Sequence, residues 1–273
     1  MLSRLLKSVV KLSAYITFGV LFFIIGYILV RGIPNLSPSL FHLEYTTENV
    51  SLFPAMITTL MLVFLTLIIA TPIGVFTGFY LVEYAKKGNR LVEVIRIATE
   101  TLSGIPSIVY GLFGMLFFVV YLNFQYSLLA GTLTVGIMVL PLIIRATEEA
   151  LLSVDDSLRE GSFALGAGML YTIFKIVLPS AMPGILSGVI LSIGRIVGET
   201  AALMFTLGTA TKIPEGLFSS GRTLALHMYI LSTEGMHINE SYATGVILLA
   251  VVLIINYVST LLSNKLAKGS NDE

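Results

Sequence analysis

The sequence predicts an all-α integral membrane protein with six transmembrane helices. Three observations carry the prediction. Hydrophobic residues make up 56% of the 273, and mean hydropathy is +0.93. Charged residues make up only 12%, where a soluble domain carries about 25%. The uncharged stretches also come in bilayer-sized lengths, about 20 apolar residues per helix. Cysteine is absent, which excludes disulfides, thiolate metal sites and cysteine nucleophiles.

Residues 12–30, LSAYITFGVLFFIIGYILV, are 19 uncharged residues closing at Arg31 and form the first predicted span. Arg4, Lys7 and Lys11 precede it as in a signal peptide, but the run exceeds a signal core and no small-x-small cleavage site follows. A retained span is expected. Residues 49–82 give the second, entering near Phe53 and leaving near Leu81, with a kink expected at Thr71-Pro72. Residues 101–144 are 44 uncharged residues, enough for two spans, with YLNFQYS (121–127) as the turn. Pro106 falls in the first turn of the third span, where its missing N–H is tolerated. Ser103, Gly104, Ser107 and Gly111 leave room there for a broken or closely packed helix. Met182–Leu207 gives the fifth span and Ser241–Leu262 the sixth.

Charge placement orients the spans. Twelve basic residues fall in the N-terminus, the 83–100 and 145–181 loops and the tail, and three (Arg31, Lys212, Arg222) fall in the opposite loops. The excess marks the cytoplasmic side and puts both termini there. The extramembrane segments are too short for a nucleotide-binding domain, and no GxxxxGK[ST] loop is present. If ATP drives this protein, another chain hydrolyses it.

The 145–181 loop is the most charged part of the chain. Ser157 to Glu160 fits a capping box, and Asp155 and Asp156 suit a helix N-terminus. Gly166 and Gly168 then loosen the backbone. Leu170, Ile173, Phe174 and Val177 recur at helical spacing. Pro179 and Pro183 mark the turn into the fifth span. Two short helices joined at a glycine, against the inner membrane face, are expected. A partner-facing surface and a solvated connector are both open at this point.

A glutamate, five residues, a glycine, nine residues and then Ile-x-Leu-Pro place Glu160, Gly166, Ile176, Leu178 and Pro179 in register. This resembles the EAA loop of importer-type ABC permeases, with Gly161 and Ser162 where that motif has two alanines. The resemblance implies the type I ABC importer permease fold. It implies that residues 153–166 form a coupling helix docking on an ATPase, with Ser157, Glu160, Gly161, Gly166, Ile176, Leu178 and Pro179 as coupling residues. Further, TPIGVFTGFYLVEYA, LSGIPSIVYGLFG, RIVGETAALMFT and EGLFSSGRTLALHMYIL resemble PstA-type phosphate permeases, covering nearly all of residues 50 to 262. That resemblance implies a non-enzymatic transport subunit for inorganic phosphate in a bacterial or archaeal cytoplasmic (inner) membrane. Its implied partners are a PstC-like permease, two ATPase subunits carrying ATP-Mg, and a periplasmic or lipoprotein phosphate-binding protein. No cofactor in this chain and no nucleic acid are implied. The expected divisions are 1–50 (first span and outer loop), a permease domain over 51–264, and a tail over 265–273. The sister permease PstC, a molybdate or sulfate permease, an ion-coupled secondary transporter and a membrane scaffold remain alternatives.

Independently of any family, Arg195 and Glu199 fall four apart inside the fifth span and would share one helix face. Each costs roughly 2.5–3.5 kcal/mol at a membrane centre, so both should avoid lipid. Gly194 and Gly198 lie on a neighbouring strip and permit close helix approach. The pair is either a structural ion pair or a path lining, where a guanidinium meets an oxyanion bidentately and the glutamate keeps the site weak enough to release it. Arg195, Glu199, Thr200, Ser103, Pro106 and Ser107 are the path or gate candidates. His42, His227 and His237 fall singly in outer loops with no metal-ligand spacing, so no metal site is expected. The outer acidic residues Glu44, Glu48, Glu215, Glu234 and Glu240 are expected as solvated faces. A short interfacial helix is expected near 221–231.

Overall fold

The computed structural model describes residues 2–85 and 88–269. Met1, Lys86, Lys87 and residues 270–273, the end of the predicted tail, lie outside it. Among the described residues, five helical stretches are long and apolar enough to cross a membrane: Leu6–Asn35, Phe53–Tyr84, Leu128–Leu152, Met169–Val197 and Ile238–Leu261. They coincide with or overlap helices α1 (Leu2–Gly32), α2 (Phe53–Phe79), α5 (Leu128–Leu152), α8 (Leu178–Val197) and α11 (Ile238–Gly269). The sixth crossing involves a bent pair, α3 (Arg90–Ser103) and α4 (Ser107–Gly114), the latter extended by a π-helical stretch to Tyr121.

That pair corrects the predicted third span. Absence of charge suggested entry at 101, but the chain turns by 106° between Ser103 and Ser107. Pro106 disfavours helix at the residue before it, and its own backbone is extended, with ψ 143°. The Tyr110 hydroxyl donates to the Leu102 carbonyl across the break at 2.7 Å and fastens the bend. α3 is amphipathic and leaves Leu91, Val94 and Ile97 exposed, as suits a helix lying in the interface. The 121–127 turn forms where expected. Its Asn123 and Gln125 adopt φ of 55° and 57°, and the Ser127 side chain accepts the Ala130 amide to start α5.

α5 is the most buried span and sits between α2 and α8. Leu62, Val135, Val139, Ile143, Ile196 and Leu203 make the main core. α8 approaches α5 so closely that a Cβ on Gly188 would overlap the Cβ of Ala146. α1 packs on α11 at the periphery.

The fifth span is also corrected. The apolar run suggested one helix from Met182 to Leu207. The structure starts it earlier, running α7 (Met169–Thr172) through a π turn (Ile173–Val177) into α8 without interruption. Pro179 therefore sits near the start of α8, inside a continuous helical stretch, and not at a turn. The helix then ends at Val197, with Gly198 as its cap, and resumes as the short α9 (Ala201–Thr206).

In the cytoplasmic loop, α6 (Asp156–Ala164) forms over the predicted region, but its cap is Asp155 and not Ser157. Asp155 Oδ1 accepts the Ser157 amide at 2.8 Å. That bond holds the Asp155 carboxyl below its usual range. Gly166 then takes φ +83°, a conformation that glycine adopts without steric cost, and reverses the chain. Ser162 and Thr172 hydroxyls meet at 2.7 Å and pin α6 on α7.

On the outer side, α10 (Leu224–Glu234) forms close to the expected helix. It is buried on one side where interfacial exposure was expected: Leu224, Ala225, Leu226, His227 and Leu231 are all enclosed. The Leu224 amide donates to Thr59 Oγ1 at 2.9 Å, and Leu40, Leu52 and Ala243 close over Leu224. His227 is thus a core residue and not a loop residue.

Candidate translocation and coupling sites

Two glycines bring the candidate path segments together. A Cβ on Gly111 of α4 would lie 2.8 Å from the Ala202 Cα, and one on Gly114 would lie 2.7 Å from the Thr206 Cγ2. Both helices run in the same direction, so this register sets the break at Gly104–Pro106 beside the break at Gly198–Thr200. Ile108 and Thr200 accordingly line one cleft of about 480 Å³, together with Met204, Met228, Tyr229 and Tyr242.

Arg195 and Glu199 do not form the expected ion pair. The helix ends between them, so the shared i, i+4 face does not exist. Among the described residues Arg195 has no carboxylate within 4 Å. It is exposed on the last turn of α8, while Glu199 is 7% exposed. The Glu199 carboxylate accepts the Ala202 amide at 3.0 Å instead. It satisfies a backbone donor that the helix break would otherwise orphan. Thr200, the next residue, is half-buried. Ser103 and Pro106 are exposed and Ser107 half-buried. Ser103 Oγ donates to the Glu100 carbonyl at 2.8 Å. Among the described residues, Arg195 thus stands without a carboxylate partner just before a non-helical backbone segment, as transporter sites use irregular backbone where it lines a cavity.

The coupling candidates divide by exposure. Ser157, Glu160, Gly161 and Gly166 are exposed, while Ile176, Leu178 and Pro179 are half-buried and anchor the loop. Around them Leu158, Phe163, Leu170, Tyr171 and Phe174 are exposed, and Leu165 is 90% exposed. Leu170, Tyr171 and Phe174 belong to the apolar stretch Met169–Val197, and exposed apolar surface on α6 suits contact with a partner or with the membrane face. A groove of about 520 Å³ runs between Ser162, Leu165, Gly166, Tyr171 and Ile176.

Two clusters escaped the sequence. Arg159 bridges to Glu83, 76 positions away, and no local spacing signals such a pair. Arg222, Tyr45 and His227 meet on the outer side. The Arg222 guanidinium lies 4.6 Å from the Tyr45 ring centre, and His227 meets that ring edge-on at 6.1 Å. His227 is fully enclosed and neither ring nitrogen has a hydrogen-bond partner. Burial, then the Arg222 charge, pushes its pKa down to about 3, with the Val50 carbonyl pulling weakly the other way. The folded chain keeps this ring neutral, whereas the unfolded chain takes up a proton below about pH 6.5. Stability is therefore expected to fall as pH drops from about 6.5 toward 3, by about 1.4 kcal/mol per unit at most. His227→Phe should flatten that slope in thermal inactivation midpoints taken between pH 7.5 and 5. Equal slopes in both proteins would refute the assignment. Among the described residues no group of three His, Asp or Glu side chains could hold a metal.

Residues 70–269 match the family described as binding-protein-dependent transport system inner membrane component. The chain is 33% identical to the probable ABC transporter permease protein YqgI of Bacillus subtilis, over 97% of this chain and 96% of that one. It is 38% identical to phosphate transport system permease protein PstA 1 of Mycobacterium tuberculosis, over 71% of this chain and 64% of that protein. Its fold is similar to a chain of a bacterial alginate ABC transporter solved with an alginate pentasaccharide-bound periplasmic protein. The TM-score is 0.68 at 16% identity, over 97% of this chain and 98% of that one. The all-α, multi-pass architecture, the matched family and these likenesses agree. The chain belongs to the binding-protein-dependent transport system inner membrane components, and is a non-enzymatic permease subunit of an ABC importer in the inner membrane.

Proposed function

We propose that this chain is the PstA-like permease of an ATP-driven importer of inorganic phosphate and forms half of its translocation path. Residues 51–264 serve as the permease domain, with the 145–181 loop as its ATPase contact. A PstC-like permease supplies the other half. Two ATPase subunits with ATP-Mg bind the coupling loops, and a periplasmic or lipoprotein binding protein delivers phosphate. The observation that carries the proposal is Arg195, a guanidinium with no carboxylate partner among the described residues, at a break in an apolar span. Exposed to lipid it would be costly; facing a path shared with a second permease it meets water and anions. The 38% identity to a phosphate transport system permease protein supports phosphate as the anion.

Closure of the ATPases on ATP moves the coupling helices, and the spans packed behind them change access. The breaks at 104–106 and 198–200 give α4 and α9 ends that can shift without unwinding a continuous helix. The purified complex in liposomes should take up radiolabelled phosphate only with ATP and binding protein present. Uptake of molybdate or sulfate in its place would overturn the substrate assignment. Uptake driven by an ion gradient without ATPases would overturn the mechanism.

A further inference from the structure

Arg159 on α6 makes four hydrogen bonds that leave little of its guanidinium free. Nη2 donates to Glu83 Oε1 and to the Leu151 carbonyl, each at 2.9 Å. Nη1 donates to the Val154 carbonyl at 2.9 Å and to Asp156 Oδ1 at 3.0 Å. The Arg159 side chain is 16% exposed and Glu83 only 10%. The cation thus caps carbonyls at the end of α5 while it holds a carboxylate at the end of span two.

Glu83 lies on a π-helical turn, Tyr80–Tyr84, that closes α2. A π turn inserts a residue, which rotates the residues beyond it by about 100°, and such turns often mark functional positions. Here the turn carries the carboxylate that faces the loop. Beneath the bridge, Phe79, Leu151, Val154, Ile173 and Val177 form one apolar cluster joining α2, α5 and the start of the fifth span. Besides the Ser162–Thr172 contact and the Arg159 bonds to the Leu151 and Val154 carbonyls, α6 enters and leaves through non-helical backbone. Ser153 to Asp155 lead into it outside any helix, with Val154 buried in the cluster beneath, and Gly166 leads out at φ +83°.

We propose that Glu83 and Arg159 are positioning residues for energy coupling: their bridge makes span two follow α6 when the ATPase moves it. Without the bridge, Arg159 still holds α6 to the Leu151 and Val154 carbonyls, but α6 loses its direct tie to span two, and part of the ATPase displacement never reaches α2. This inference rests on the importer reading given above. It differs from a plain structural staple in one measurable respect. A lost staple lowers assembly, ATP hydrolysis and uptake together. A lost transmission element leaves hydrolysis running and lowers the number of phosphate ions imported per ATP.

Glu83→Gln keeps the size and an acceptor oxygen but removes the charge. In the full complex, assembly and ATPase rate should stay near wild type. Uptake per ATP should fall by at least about fivefold, the lower end of typical coupling effects. A second variant guards against indirect damage. The chain has no native cysteine, so Glu83→Cys with Arg159→Cys, in a cysteine-free complex, can be joined by a short bis-maleimide. Uncrosslinked, the pair should show the low ratio; crosslinked, it should regain most of it. Equal ratios for wild type and Glu83→Gln, proportional loss of both activities, or no recovery on crosslinking would each overturn the proposal. A wild-type complex that hydrolyses ATP but imports another oxyanion would overturn only the phosphate assignment, and the same ratio would then be read with that ion.

Discussion

Arg195→Gln is expected to cut ATP-driven phosphate uptake by about ten- to a hundredfold, with the complex still assembled. That range corresponds to losing one charge-assisted hydrogen-bonding group, about 1.5–3 kcal/mol. Glutamine keeps two amide donors but neither the charge nor the fork. Arg195→Lys should fall between, because a lysine restores charge without bidentate geometry. The residue is exposed and makes no carboxylate contact among the described residues, so the substitution leaves no buried carboxylate stranded. Assembly on size-exclusion chromatography should be unchanged, and uptake into liposomes reads the effect. Uptake within a factor of about two of wild type, well under the loss expected for such a contact, would end the proposed path role.

The Glu199 variants separate this from an ion pair. If Arg195 and Glu199 were partners, Glu199→Gln would strand a cation, and the double variant would recover part of the loss. The structure shows Glu199 on the Ala202 amide instead. A glutamine at 199 retains an acceptor oxygen for that amide, so its effect should be mild and should combine with Arg195→Gln without recovery.

Much of the architecture was legible because apolar length is a physical requirement of the bilayer. α2, α5 and α11 follow directly from uncharged runs, and the 121–127 turn follows from its polar residues. The break before α4 was half legible: Pro106 and Gly104 announced irregularity, but not a 106° bend. The break at Gly198–Thr200 was hidden, because glycine and threonine between apolar residues read as helix when only hydropathy is counted. The supposed Arg195–Glu199 pair was an error of that same kind, since an i, i+4 argument assumes the helix continues. Within the loop, two short helices joined at a glycine were expected and the joint falls at Gly166, whereas the cap moved to Asp155 because its carboxylate reaches the Ser157 amide. Contacts between distant segments, such as Glu83 with Arg159 or Tyr45 with Arg222, carry no spacing signal.

The close approach of α4 to α9 leads to the largest expected loss of stability. Gly114→Leu should remove most of the folded complex, while Gly19→Leu, at a position with nothing within 4 Å of its Cβ, should leave yield unchanged. A Cβ on Gly114 would overlap the Thr134 Oγ1 and come within 2.7 Å of the Thr206 Cγ2 and 2.9 Å of the Thr134 Cγ2. Neither threonine can readily turn away. Both are buried, and each hydroxyl is tied to its own helix at 2.8 Å, Thr134 to the Ala130 carbonyl and Thr206 to the Ala202 carbonyl. Accommodation therefore requires α4 to separate from α5 and α9 together. Overpacking a well-filled core costs about 1–3 kcal/mol and sometimes more, and here the displaced elements carry both backbone breaks. Surviving Gly114→Leu complex should thus show lower uptake as well as a lower thermal inactivation midpoint. Wild-type yield and midpoint would mean that α4 and α9 do not pack at van der Waals distance, and the shared register of the two breaks would fall with that contact.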